Sequence, residues 1–252
     1  ISQLDKAGWM KSWGHKIQKP VPSLFTFNLA KDSSVKQATP ITQLMGVAVE
    51  NAAVKIAGTK LIQTGPLLIT HWGFSGPAIL KLSAWGAREL SESNWNFNIQ
   101  INWMGNVNEQ ELRVQFAELR RTIPAQKIKG KDKFQLPNRL WDFLAADSGV
   151  KDEMRWADLP SAIQNKFIKN LTVYSAAIKG KTTFKEEFVT AGGIDLSEMD
   201  HKTMMSKLVP NLFFAGEVMD VDGVTGGFNF QFAWTSSFIA AKAIAESSKT
   251  HS

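Results

Sequence analysis

The run from Leu212 to Ala245, LFFAGEVMDVDGVTGGFNFQFAWTSSFIAAKAIA, constrains this chain more than any other stretch. An apolar strand over 212–215 is expected to break at Gly216 into an acidic loop carrying Glu217, Asp220 and Asp222. The Gly226-Gly227 pair then opens a long apolar helix over 228–245, with Phe228 and Asn229 in its first turn. Glycine permits backbone conformations and close approaches that a Cβ forbids. Strand, acidic loop, paired glycines and helix N-terminus bring backbone N–H groups and a helix dipole to one place, where a polar ligand can be met. Glu217 would accept hydrogen bonds from ligand hydroxyls at the carboxyl edge of a sheet. The plainer alternative is a tight strand-to-helix turn with solvated acids.

VTAGGI, residues 189–194, repeats the theme: a strand runs into Gly192 and Gly193, with Thr190 and Ala191 just before them. Two double-glycine turns that follow strands can converge on one ligand; the alternative is an ordinary hairpin turn. THWGFSGPA places His71 near Ser75, but no acid is positioned to orient the histidine, so hydrolase chemistry is not supported. His15, His201 and His251 stand alone, and with no cysteine in the chain no metal site is expected. No side chain reads as a catalytic acid or base.

The 252 residues carry a formal charge of +6, which raises nucleic acid as a partner. The densest basic stretch is Arg120, Arg121, Lys127, Lys129, Lys131 and Lys133. It lacks a recognition-helix, RNP or zinc-finger pattern and reads first as a solvated surface segment, so a small molecule rather than nucleic acid is the expected partner. A nucleic-acid-binding module and a non-catalytic interaction domain stay open as alternatives. No apolar run is long enough to span a membrane, the N-terminal order is not that of a signal peptide, and a cytoplasmic location is the default expectation. Nothing in the sequence speaks to oligomeric state.

Along the chain, residues 9–17 read as a helix end closed by Gly14, and Pro20 and Pro22 force extended backbone. SLFTFNL from Ser23, VAVENAAVKI (47–56) and KLIQTGPLLIT read as strands of an antiparallel sheet or small barrel, with a turn at Gly58. Ser75 or Gly76 is expected to cap one helix that starts at Pro77 and runs through Leu90. NFNIQINWM (96–104) alternates strictly, with Phe97, Ile99, Ile101 and Trp103 on one face. Residues 108–170 turn helical; NEQELRVQFAELRRTI puts acids in its first turn and bases in its last, which complements the helix dipole. Strand texture returns in TVYSAAI and TTFKEEFVTAGGI, with Gly180 expected to make a hairpin turn between them.

AGEVMDVDGVTGGFNFQFAW, with VTAGGI and KTMMSKLVPNLFFAGE before it, resembles the C-terminal part of the aminoacetone oxidase-like family of NAD(P)/FAD-dependent flavoproteins. LLITHWGFSGPAILKLSAWGAREL and GHKIQKPVPSLFTF match it in order and spacing, so the resemblance covers essentially the whole chain; Met205 departs from it, where the family commonly has an acid. It implies an α+β and α/β architecture. An inserted β-barrel-like substrate domain with a helical subdomain would interrupt a Rossmann-like FAD-binding domain. Residues 1–22 would then end the first FAD-domain segment and 187–252 would be its returning segment. The insertion would span 23–186, β-rich over 23–107, helical over 108–170 and β again over 171–186.

The resemblance puts Glu217, with Gly216 and Asp220 beside it, at the FAD ribitol–pyrophosphate region. It puts Gly226, Gly227, Phe228 and Asn229 at the flavin pyrimidine edge, and Thr190, Ala191, Gly192 and Gly193 against the isoalloxazine. The family's GxGxxG segment lies before the position of residue 1, so the chain is expected to be a fragment of a longer FAD-dependent oxidoreductase and inactive alone. The expected substrate is a small organic molecule, with NAD(P)H as a candidate reductant.

Overall fold

Alternation at period two puts one face of each strand in a core, and that pattern becomes a closed barrel. The computed structural model describes residues 8–30, 40–182 and 189–249. The helices are α1 (Gly8–Ser12), α2 (Pro77–Trp85), α3 (Ala87–Glu92), α4 (Glu109–Thr122), α5 (Asn138–Ser148), α6 (Ser161–Thr172) and α7 (Phe228–Lys249). The strands are β1 (Ile17–Ser23), β2 (Thr26–Leu29), β3 (Ala48–Ile56), β4 (Ile62–Ile69), β5 (Gly73–Ser75), β6 (Asn96–Asn102), β7 (Tyr174–Thr182), β8 (Val189–Ile194), β9 (Met199–Asp200) and β10 (Met205–Ser206). They fall into two compact units, Thr26–Leu82 with Ser93–Thr182, and Ile1–Phe25 with Ser83–Glu92 and Thr183–Ser252.

In the first unit six antiparallel strands close in the order β2-β5-β4-β3-β6-β7, which removes every exposed sheet edge from the barrel. Phe27, Leu67, Phe74, Ile99, Ile101 and Trp103 are buried, and Phe27 meets Phe97 edge-on at 5.0 Å between ring centres. The barrel is therefore filled by side chains, as small barrels are.

Between β6 and β7 the chain makes a helical lobe around Phe116, Trp141, Trp156 and Phe167, all fully buried. Phe116 meets Trp156 at 5.1 Å and Trp141 meets Phe167 at 4.7 Å. The α4 N-terminus is fixed by a reciprocal capping box: Asn108 Oδ1 accepts from Glu111 N, and Glu111 Oε2 accepts from Asn108 N. The expected acids and bases sit at the proper ends of that helix.

In the second unit β1 pairs antiparallel with β8, and the ladder shifts register between Gln18 and Val21. Pro20 lies in that irregularity, where its missing N–H costs no ladder bond. Met10, Ile194, Met199, Phe214, Met219 and Ala240 form a separate apolar core under α7.

Several expectations change. Gly180 makes no hairpin turn: it lies inside β7 and donates its N–H to Trp95 O at 2.9 Å, opposite the register shift between Phe27 and Leu29. Its flexibility serves a bulge that bends a barrel strand. The strand expected from Ser23 is broken at Leu24, whose φ is 55°. The helix expected through Leu90 is interrupted at Gly86 into α2 and α3. The strand expected over 212–215 reduces to an isolated antiparallel bridge of Phe213 with Met205, because among the described residues no longer neighbour offers its backbone. A Rossmann sheet is not shown; among the described residues this unit holds two-stranded antiparallel sheets and one parallel bridge, Ile194 with Met219. Residues 183–188 of the anticipated TTFKEEF strand lie outside the described ones.

Candidate functional site

VTAGGI does not run into a turn. Gly192 and Gly193 are members of β8, with φ of 113° and 128°. A Cβ on Gly192 would stand 2.6 Å from Lys19 O of β1, and one on Gly193 would stand 2.4 Å from Val218 O. The glycine pair therefore exists because backbone crosses backbone on two sides, at distances no side chain tolerates. This crossing brings the two glycine-containing motifs together. Asp220 N donates to Ile194 O at 3.0 Å, and Thr190 N donates to Glu217 Oε1 at 2.7 Å.

The turn after Phe214 is tied to α7. Gly216 N donates to Ser236 Oγ at 3.0 Å, and the Ser236 hydroxyl donates to Phe232 O at 2.7 Å. The acids of the loop then separate in role. Asp220 pairs with Arg88 of α3 at 2.6 Å, and Asp222 accepts from the buried Ser23 hydroxyl at 2.7 Å. Both brace the loop. Glu217 is exposed, and its second oxygen has no protein partner among the described residues.

Asn229 is likewise committed to its own loop. Its Oδ1 accepts from Gly223 N at 2.8 Å, and its amide donates to Gly223 O at 3.0 Å. That clamp holds the approach to α7 and leaves Gly226 and Gly227 at the helix mouth with φ of 124° and 84°. A Cβ on Gly227 would meet nothing within 4 Å, so packing does not demand this glycine. An open recess of about 610 Å³ lies here, lined by Gly226, Gly227, Phe228, Phe230, Gln231 and Trp234. The first N–H groups of a helix lack intrahelical acceptors and carry the positive end of its dipole. The recess therefore offers backbone donors for an electron-rich edge and flat aromatic walls, while the exposed carboxylate oxygen of Glu217 belongs to the neighbouring crossing of β8 with its loop. That donor set fits the pyrimidine edge of a flavin.

Of the residues read from the sequence, Thr190, Gly193, Gly216, Glu217 and Asp220 are linked by this network. Phe228 lines the recess, and Ala191 is buried beside Val21 and Ala87. Arg88, Ser23 and Ser236 were not read as part of it. The Arg88 partner lies 132 residues away, so no local signal points to that pair. The spacing of Phe230, Trp234 and Phe238, by contrast, was a readable helical stripe. Outside this region, His71 is exposed with its ring edge-on to Trp72 at 4.2 Å, and buried His15 Nε2 lies 2.8 Å from Ser206 Oγ. Among the described residues no group of three His, Asp or Glu side chains could hold a metal, and no helix is long and apolar enough to cross a membrane.

A profile described as "HI0933-like protein barrel and H2TH domain" matches residues 21–189, which include the barrel strands and α4 to α6. The chain belongs to the HI0933-like family. It is 34% identical over 200 residues to the Escherichia coli ribosomal RNA dihydrouridine synthase, covering 79% of this chain and 46% of that protein. It is 29% identical over 205 residues to the Haemophilus influenzae protein of the same name, covering 81% and 48%. The 3-dehydro-bile acid delta(4,6)-reductase of Clostridium scindens is 24% identical over 238 residues, covering 94% and 56%. The chain thus spans about half the length of these relatives, whose names are those of a synthase and a reductase.

Proposed function

We propose that this chain supplies the substrate-side barrel and part of the cofactor site of an FAD-dependent oxidoreductase like the aminoacetone oxidase-like flavoproteins, with NAD(P)H as reductant. The observation that carries this reading is the crossing of β8 with the Glu217 loop, whose Gly216 is tied to Ser236 of the same α7 that opens with the glycine-lined recess. FAD, when bound, would supply two-electron transfer between NAD(P)H and a ring carbon conjugated to a carbonyl. The names of the relatives support a reaction of this kind, since dihydrouridine formation and a delta(4,6) reduction both remove ring unsaturation. The first-turn N–H groups of α7 would hold the electron-rich flavin edge, Glu217 would accept from a ribitol or ribose hydroxyl, and Asn229, Arg88 and Ser236 would keep the loop in place.

Two substrate classes are in view, a small carbonyl-bearing ring compound and a uracil base within RNA. The distribution of charge favours the second. Among the described residues the barrel unit carries 17 Lys and Arg against 10 Asp and Glu, while the other unit carries 8 against 9. A positive excess confined to one unit is the electrostatic footprint of a polyanion-binding surface.

The complete reading frame that contains this chain, purified from cells, tests the flavin reading. The expected result is a yellow protein with about one FAD per polypeptide. Gly227→Val and Glu217→Ala should lower that content, the first by closing the helix mouth and the second by removing the acceptor. A colourless protein, or Gly227→Val with undiminished flavin, would overturn the assignment.

A further inference from the structure

The flavin site does not use the basic segment of the helical lobe, and there the structure places cations with an unusual economy of counter-charge. Residues 126–133 and 151–156 run side by side. Ile128 N donates to Met154 O at 3.0 Å, Trp156 N donates to Gln126 O at 3.0 Å, and Lys127 bridges Arg155. Trp141 Nε1 donates to Ile128 O at 2.7 Å and pins this ridge to the aromatic core. Six cations project from it: Lys127, Lys129, Lys131, Lys133, Lys151 and Arg155.

Three acids share these segments and a fourth, Asp142, accepts from Gly130 N at 2.8 Å; Asp132 is turned back onto its own loop, where one oxygen accepts from Phe134 N at 2.9 Å and Leu136 N at 2.8 Å. That leaves Asp152 and Glu153, which pair with Lys129 at 2.5 Å and Lys127 at 2.6 Å while their side chains stay 84% and 80% exposed. The Lys127–Glu153 pair, exposed at both ends, contributes little and exchanges readily for another anion, whereas the Lys129 side chain is only 19% exposed and stays with Asp152. Lys131, Lys151 and Arg155 are exposed and have no ion pair among the described residues.

We infer that this ridge, residues 126–133 with 151–155, is the surface on which an RNA sugar–phosphate backbone docks. The backbone beneath it is held by the lobe core, so the points from which the cations project are fixed. Phosphate contacts are sequence-independent, release counterions and position the chain. The inference rests on the reading of RNA as the substrate class.

The test measures anisotropy of a fluorescein-labelled RNA stem-loop mixed with this chain over a series of KCl concentrations. The expected result is salt-sensitive binding that weakens about tenfold in the triple variant Lys131→Glu, Lys151→Glu, Arg155→Glu, with the salt slope shallower by about 2. The corresponding triple Gln variant should weaken binding less, and guards against a fold lost to like-charge repulsion. Lys242→Glu, on α7, should bind as wild type. Absence of binding at low salt, or equal binding by the triple variants, would overturn the inference. So would capture by phosphatidylserine vesicles without capture of RNA. In the complete protein the triple Glu variant should keep its FAD content while losing RNA affinity. A flavin-free protein that still binds RNA through these cations would sink the flavin reading and leave the ridge standing.

Discussion

Gly192, Gly193 and Gly227 look alike in sequence and differ in what surrounds them. Gly193→Ala would drive a Cβ into Val218 O and Met219 C at 2.4 and 2.8 Å, on a backbone with φ of 128°. The expected cost is at least about 2 kcal/mol, read as a fall in thermal midpoint. Gly227→Ala meets open space and suffers only left-handed strain, about 1 kcal/mol. Equal losses in the two variants would refute this distinction. Asp195 gives a pH prediction. The Ser197 hydroxyl and N–H, then Gln18 and Lys16, hold its carboxyl well below the usual carboxylate range. A depressed pKa stabilises the fold fully above the ordinary carboxylate value, and that contribution is lost progressively as pH falls from about 4 toward the depressed value. Asp195→Asn should therefore be less stable at neutral pH and lose less stability on acidification, in denaturant titrations at each pH. Which glycine packs and which stays open was invisible in the sequence, since both pairs follow strand-like text and the difference lies in a crossing strand from elsewhere in the chain.

At the scale of elements, α4 and α7 show opposite degrees of legibility. The charged ends of α4 were readable because dipole complementarity is local, while the capping box at its N-terminus is seen only in the structure. For α7 the helix was readable, but not what it packs against. Its inward line, Phe232, Ser236, Ile239 and Ala240, meets its own unit, while Phe230, Trp234 and Phe238 are 71%, 69% and 70% exposed. A helix apolar on both faces is ordinarily covered on both. Replacing Phe230, Trp234 and Phe238 together by Ser should leave the circular-dichroism spectrum in place and cut the binding of an apolar fluorescent dye by roughly half. An undiminished dye signal would mean that the apolar surface lies elsewhere. β7 marks the other limit: Gly180 carries the local signature of a turn, yet barrel closure keeps the strand running through it as a bulge.

At the scale of the whole molecule, two units with separate cores share one chain that passes between them several times. Trp141→Ala empties the centre of the lobe aromatic cluster and should cost on the order of 4 kcal/mol. In calorimetry the transition of the barrel unit should fall by roughly 10 °C and the other should stay in place. A single transition that shifts as one would refute separate unfolding. By itself the sequence determined the order of strand-rich and helical text, the position of α7 and the glycine motifs, because these rest on periodicity, capping and turn chemistry within a few residues. Only the tertiary structure decided that six strands close into a barrel, that Asp220 and Asp222 brace while Glu217 stays exposed, and that basic residues far apart in sequence share one ridge. Each of those depends on partners far away in the chain, and no local preference encodes which partner a backbone edge or a charged side chain will meet.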